Sequence, residues 1–173
     1  STLINQAIHT LDLMIHTMGQ PRDIVAHQAN LKFDDIETED TIASIFRFDN
    51  GALGTISSTN ATSKFWDSKI EIAATKGNIT FTTGFPLKVT SLYLVDTAQQ
   101  QVIEKELDRY ESEAANDIPP TQDYYGVSHK YQIKNFIYAA KGNEKLDEPP
   151  QEARNTLKAV LDIYKSSRDN STP

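Results

Sequence analysis

The chain has 173 residues, 24% of them charged and 38% hydrophobic, which suits a single soluble globular domain and is too apolar for global disorder. Its net charge of −7 argues against nucleic acid or an anionic membrane as partner. With no cysteine there is no disulfide or thiolate chemistry, a cytoplasmic location is the default expectation, and no apolar run approaches the roughly 20 residues needed to span a bilayer.

Residues 3–18 carry a helical period. Ile4, Ile8, Leu11, Ile15 and Met18 form an apolar stripe flanked by Ala7 and Met14, and Gly19-Gln20-Pro21 stops the helix. A strand is expected within 23–33, followed by an acidic segment, 34–40, that reads as a solvated turn. The segments TIASIFRF (41–48) and ALGTISST (52–59) flank Asp49-Asn50-Gly51, a pattern that predicts a hairpin with a type I′ turn. A second hairpin is predicted from 69–74 and 78–83 through Lys76-Gly77. Further strands are expected at 87–95 and 101–107, then a polar loop over 108–123.

The last third turns helical. Ile133, Phe136, Ile137 and Ala140 make one apolar face, and Ala153, Leu157, Val160, Leu161 and Tyr164 make another after Pro149-Pro150. Strands joined by short turns and bracketed by helices predict an α+β fold. Its core is an open, mainly antiparallel (mixed) β-sheet with helices packed on one face. Strands apolar on both sides point to a sheet face used for association, as a homodimer or homotetramer.

Beside the apolar stripe of the opening helix runs a polar line of Asn5, His9, Asp12 and His16. At about 100° per residue these occupy a narrow sector. Asp12 lies within helical reach of both His9 and His16, and a carboxylate on one ring nitrogen makes the other a better base. Spacing alone leaves three readings open: an inert solvated stripe, a metal site from His9, Asp12 and His16, or acid–base catalysis. His27 and His129 read as structural residues. Phe65, Trp66, Tyr124 and Tyr125 are candidates to stack on a ligand, against ordinary packing.

The run Leu3-Ile4-Asn5-Gln6-Ala7-Ile8-His9-Thr10-Leu11-Asp12-Leu13, closed by Gly19-Gln20-Pro21, resembles the beginning of the C-terminal domain of Gfo/Idh/MocA oxidoreductases. The hairpin around Asp49-Asn50-Gly51 with its following Ala-Leu-Gly-Thr-Ile is similar to a hairpin of that family, and so is Ala73-Ala74-Thr75-Lys76-Gly77. His129 to Phe136 and Glu152 to Ser166 resemble its last two helices.

The resemblance implies that 1–173 is a C-terminal substrate-binding and oligomerisation domain, whose N-terminal Rossmann half is absent from this chain. It implies hydride exchange between NAD or NADP and a sugar, polyol or related carbohydrate, with His9 as general acid/base and Asn5 and Asp12 on the substrate. The cofactor-binding residues stay unknown, no metal is implied, and the fragment alone is expected to be inactive. The chain departs from the family at Asn5, where many dehydrogenases place Asp. That departure keeps a non-catalytic binding or assembly module of the same fold in play.

Overall fold

A turn of π-helix, Leu3–Ala7, runs directly into the α-helix α1, Ile8–Met18, so the opening helix forms with a wide first turn. The computed structural model describes residues 1–64, 68–83, 87–117 and 129–170. Six strands follow: β1 Pro21–Ala29, β2 Thr41–Phe48, β3 Leu53–Thr59, β4 Lys69–Ala74, β5 Gly77–Thr82 and β6 Lys88–Leu94. Three more helices complete the described elements: α2 Thr97–Asp117, α3 His129–Ala140 and α4 Pro150–Asp169. The described strands form two three-stranded antiparallel sheets, β1-β2-β3 and β4-β5-β6. The fold is α+β, as expected from the sequence. The chain divides into two compact units, Ser1–Phe65 with Glu148–Pro173 and Trp66–Asp147.

In the first unit, β2 alternates strictly. Ile42, Ser44, Phe46 and Phe48 are buried while Ala43, Ile45 and Arg47 face out. The buried row joins Ala26 of β1 and Ile56 of β3, and α1 and α4 supply Leu11, Ile15, Ala159, Val160 and Ile163 to the same core. Both helices thus cover one face of this sheet. Its outer face carries Val25 directly opposite Ile45, both about half exposed.

The β2–β3 hairpin turns at the predicted place with different chemistry. Gly51 has φ +83°, no non-glycine residue among the described ones has a positive φ, and Gly51 N–H donates to Phe48 C=O at 3.0 Å. A type I′ turn needs positive φ at both central residues. The geometry is instead a type I turn with glycine in the following left-handed position. Asn50 contributes through its side chain, whose Oδ1 accepts from Ala52 N–H at 2.9 Å.

Strand β1 lies at a sheet edge, and α4 closes part of it. Ser166 Oγ accepts from Ala26 N–H at 3.1 Å and donates to Ile24 C=O at 2.9 Å, satisfying two edge groups with one hydroxyl. The buried side of α4 is therefore Thr156, Ala159, Val160, Ile163 and Ser167, while Leu157 and Leu161 are exposed. Small residues on the buried side let the helix approach closely, which apolar periodicity alone does not register.

The acidic segment ends in two buried carboxylates, Glu39 and Asp40, so it is no simple solvated turn. Asp40 accepts from the N–H groups of Leu31, Lys32 and Phe33 at 2.8–3.0 Å and from the Thr41 hydroxyl at 2.8 Å. Burial pushes its carboxyl up, but these four donors outweigh it and hold the group well below the usual carboxylate range.

In the second unit, residues 101–107 belong to α2 and are not a strand. The alternation of QVIEKEL imitates a strand, but its residues are strong helix formers. Asp96 Oδ1 caps the helix by accepting from Ala98 and Gln99 N–H, and Arg109 bridges to Glu106 and Glu113 at helical spacing. The helix also takes in most of the segment expected to be a polar loop. Between β5 and β6 the backbones touch at Gly77. Asn135 is the buried residue of α3, donating to Lys145 C=O and accepting from Asp147 N–H, both at 2.9 Å. Ile133, Phe136 and Ile137, expected as a packed face, are exposed.

Candidate functional site

The opening helix is held by one seam. Leu3, Ala7, Leu11 and Ile15 are buried, whereas Ile4, expected in the stripe, is 45% exposed. A spacing of four drifts by roughly 40° per step on an α-helix, and the π-turn cancels that drift at its start. Ala7 N–H reaches back five residues to Thr2 C=O at 2.9 Å, which widens the turn so that each residue rotates less. Leu3 and Ala7 then fall in line with Leu11.

The same rotation brings Asn5 closer in azimuth to His9. Both are exposed, each two residues from a seam residue and so on the outward side of the helix. The structure thus places two of the three predicted site residues together on one accessible face.

The helix start is clamped. Glu39 Oε1 accepts from Leu3 N–H and the Ser1 hydroxyl, both at 2.8 Å, and Glu39 C=O accepts from Thr2 N–H at 3.1 Å. Tyr164 of α4 donates to the same carboxylate at 3.3 Å. Burial first, with the Glu39 charge adding to it, pushes that phenol's pKa up. Thr2, wholly buried, shares a hydrogen bond with Ser58 of β3 at 2.7 Å. The segment before β2, strand β3 and α4 therefore fix the turn that leads to Asn5 and His9.

Asp12 is placed differently from expectation. It is half-buried and accepts a hydrogen bond from the Thr156 hydroxyl of α4. Among the described residues no hydrogen bond links it to His9 or His16, so the predicted carboxylate–imidazole pair does not form. Nor does any group of three His, Cys, Asp or Glu among the described residues have metal-binding geometry. His16 is exposed near the end of α1, His27 lies exposed in β1, and His129 begins α3. Phe65, Trp66, Tyr124 and Tyr125 lie outside the described residues.

The polar atoms on this face can accept and donate hydrogen bonds to hydroxyl groups, and one imidazole can move a proton. A dinucleotide cradle is another matter. Both described sheets are antiparallel, so the described residues contain no βαβ unit with a helix N-terminus to receive a pyrophosphate. They do not fit a nicotinamide dinucleotide.

Comparison with known proteins adds a likeness of sequence and of fold. Residues 1–80, which include the helix and the first hairpin, match the model of the GFO/IDH/MocA C-terminal domain. Over that stretch the chain is similar to the Gfo/Idh/MocA family. Beyond it the likeness is one of fold. The WlbA dehydrogenase from Bordetella pertussis, solved with NADH and UDP-GlcNAcA, superposes with a TM-score of 0.83 at 23% identity, covering 98% of this chain and 46% of that one. The aldose-aldose oxidoreductase from Caulobacter crescentus, complexed with glycerol, gives a TM-score of 0.66 at 14% identity over 99% of this chain and 46% of its own. Levoglucosan dehydrogenase, solved with NADH and L-sorbose, gives 0.64 at 19% over 96% and 48%. The chain therefore spans about half the length of the solved relatives it matches. No curated protein is significantly similar to it in sequence. No helix among the described residues is long and apolar enough to cross a membrane.

The sequence pattern named Asn5, His9 and Asp12 but missed Thr156, Glu39 and Tyr164. Thr156 and Tyr164 lie in a helix more than 140 residues downstream of the site, and Glu39 sits inside a segment whose composition reads as solvent-facing.

Proposed function

We propose that this chain is the substrate-side and oligomerisation domain of an NAD(P)-dependent oxidoreductase acting on a sugar, polyol or related carbohydrate. The observation that carries the reading is the joint exposure of Asn5 and His9 on the outward face of a helix clamped at its start, within the stretch that matches the family model. The nucleotide and carbohydrate ligands of the solved relatives support the substrate class.

In this reading His9 takes the proton of the hydroxyl being oxidised, or returns it when the reaction runs the other way. Asn5 offers its amide to a neighbouring hydroxyl, and Asp12 accepts from another. Because Asn5 is uncharged, it orients the substrate or the ring without raising the basicity of His9. NAD or NADP supplies the hydride exchange and is held by a Rossmann domain outside these 173 residues, so the isolated chain is inactive. The outer sheet face with Val25 and Ile45 joins subunits into a dimer or tetramer, and the cysteine-free protein works in the cytoplasm.

The test is hydride transfer by the full-length protein with NAD and NADP against a panel of sugars, polyols and nucleotide sugars. His9→Ala should lower kcat by roughly two to four orders of magnitude, the usual share of general acid–base catalysis. Unchanged turnover refutes the role of His9. A second reading, a non-catalytic binding module, is favoured by Asn5 alone. It wins if the protein binds carbohydrate with the affinity of a specific site yet transfers no hydride.

A further inference from the structure

Thr156 reaches Asp12 from 144 residues away in sequence, and its side chain has a choice of acceptor. The Glu152 carbonyl one turn earlier in α4 lies at 3.5 Å, beyond the range of a good hydroxyl hydrogen bond. A hydroxyl has a single proton to give, so it goes to Asp12 Oδ1.

The contact is not required to dock the two helices. Leu11 and Ile15 already share a core with Ala159, Val160 and Ile163, and Gln20 Nε2 donates to Asn155 C=O at 2.9 Å. What the Thr156 hydroxyl adds is orientation. It holds one oxygen of a half-buried carboxylate against α4. Among the described residues Thr156 is the hydrogen-bond partner of Asp12, which leaves Oδ2 able to accept from a ligand.

We propose that Thr156 is a positioning residue for substrate binding, orienting Asp12 so that its free carboxylate oxygen receives a substrate hydroxyl beside His9. The inference rests on the oxidoreductase reading above. It assigns α4, at the far end of the chain, a part in substrate recognition.

The experiment uses the full-length protein and the best carbohydrate from the panel. Thr156→Val keeps the shape of the side chain and removes the donor, and Thr156→Ser keeps the donor. The valine variant should raise KM about ten-fold, the effect of one hydrogen bond to a charged group, with a much smaller change in kcat. The serine variant should restore KM. In an Asp12→Asn background, Thr156→Val should add little, because the residue it orients has already lost its charge. If Thr156→Val folds poorly, Thr156→Ala carries the same expectation.

A wild-type KM for Thr156→Val in an active enzyme overturns the inference and leaves the oxidoreductase reading standing. So does an equal loss in kcat and KM, with lower melting temperature and no rescue by serine, since that pattern marks a purely structural contact. A wild-type protein that transfers no hydride to any panel member fails the oxidoreductase reading first and takes the inference with it.

Discussion

Replacing Leu11 by alanine tests which face of the opening helix is buried, and therefore which face can carry chemistry. Leu11 is wholly buried, in one core with the sheet residues Ile42 and Phe46 and the α4 residues Val160 and Ile163. Truncation removes the transfer free energy of its methyl groups and leaves a cavity that two helices and a sheet cannot readily collapse. Such changes cost about 2–5 kcal/mol. Ile4, which periodicity alone puts in the same stripe, is 45% exposed. At about 0.8 kcal/mol for each fully buried CH₂, halved for its exposure, Ile4→Ala should cost about 1 kcal/mol. With a urea dependence of about 2 kcal/mol per molar, the unfolding midpoint should fall by about 1.5 M for Leu11→Ala and about 0.5 M for Ile4→Ala. Circular dichroism of the 173-residue chain reads both. Equal midpoints, or a larger shift for Ile4→Ala, would refute the seam. His9 would then no longer be placed on the outward side.

Two further changes test the surroundings of the site and the second sheet. Because the Asp40 carboxyl titrates below its unfolded value, near 3.9, its contribution to stability is present above that pH and is lost as pH falls through the folded-state value. Asp40→Asn should be less stable at neutral pH and lose less between pH 5 and 3, so that its unfolding midpoint converges with that of the native protein in acid; parallel curves would contradict the hydrogen-bonding account. Gly77→Ala would place a Cβ 2.3 Å from Tyr93 C=O and 3.0 Å from Leu94 Cα, contacts that only backbone movement can relieve. A cost of about 1–3 kcal/mol is expected, with faster amide hydrogen exchange in β5 and β6; unchanged exchange would show that the strands approach less closely than described.

Much of this fold is written locally. The Asp49-Asn50-Gly51 and Lys76-Gly77 turns, the strands around them and the stop at Gly19-Gln20-Pro21 follow from residues a few positions apart, so short-range chemistry is enough to find them. Helix α2 escaped because QVIEKEL alternates like a strand; its cap at Asp96 and the Arg109 bridges that decide the matter lie outside that seven-residue window. The exposed side of α4 was misjudged for the opposite reason. Leu157 and Leu161 have the right period, but Ser166 ties the other side of the helix to the edge of β1. Asn5 and His9 were legible in the sequence because a single helix carries both. Thr156, Glu39 and Tyr164 were not, since each acts through a contact made only when distant segments meet.

The wide turn at residues 3–7 also changes how this helix can vary. Geometrically, a π-turn is one surplus residue lodged in an α-helix. Deleting a single residue there would restore regular α geometry without disturbing the Leu11 and Ile15 end, and it would swing whatever stands at position 5 about a quarter turn around the axis. Downstream, His9 would keep its place. Chain length within one helical turn thus tunes the group beside His9 independently of His9 itself, so an insertion or deletion here can reshape the exposed face as a point substitution would.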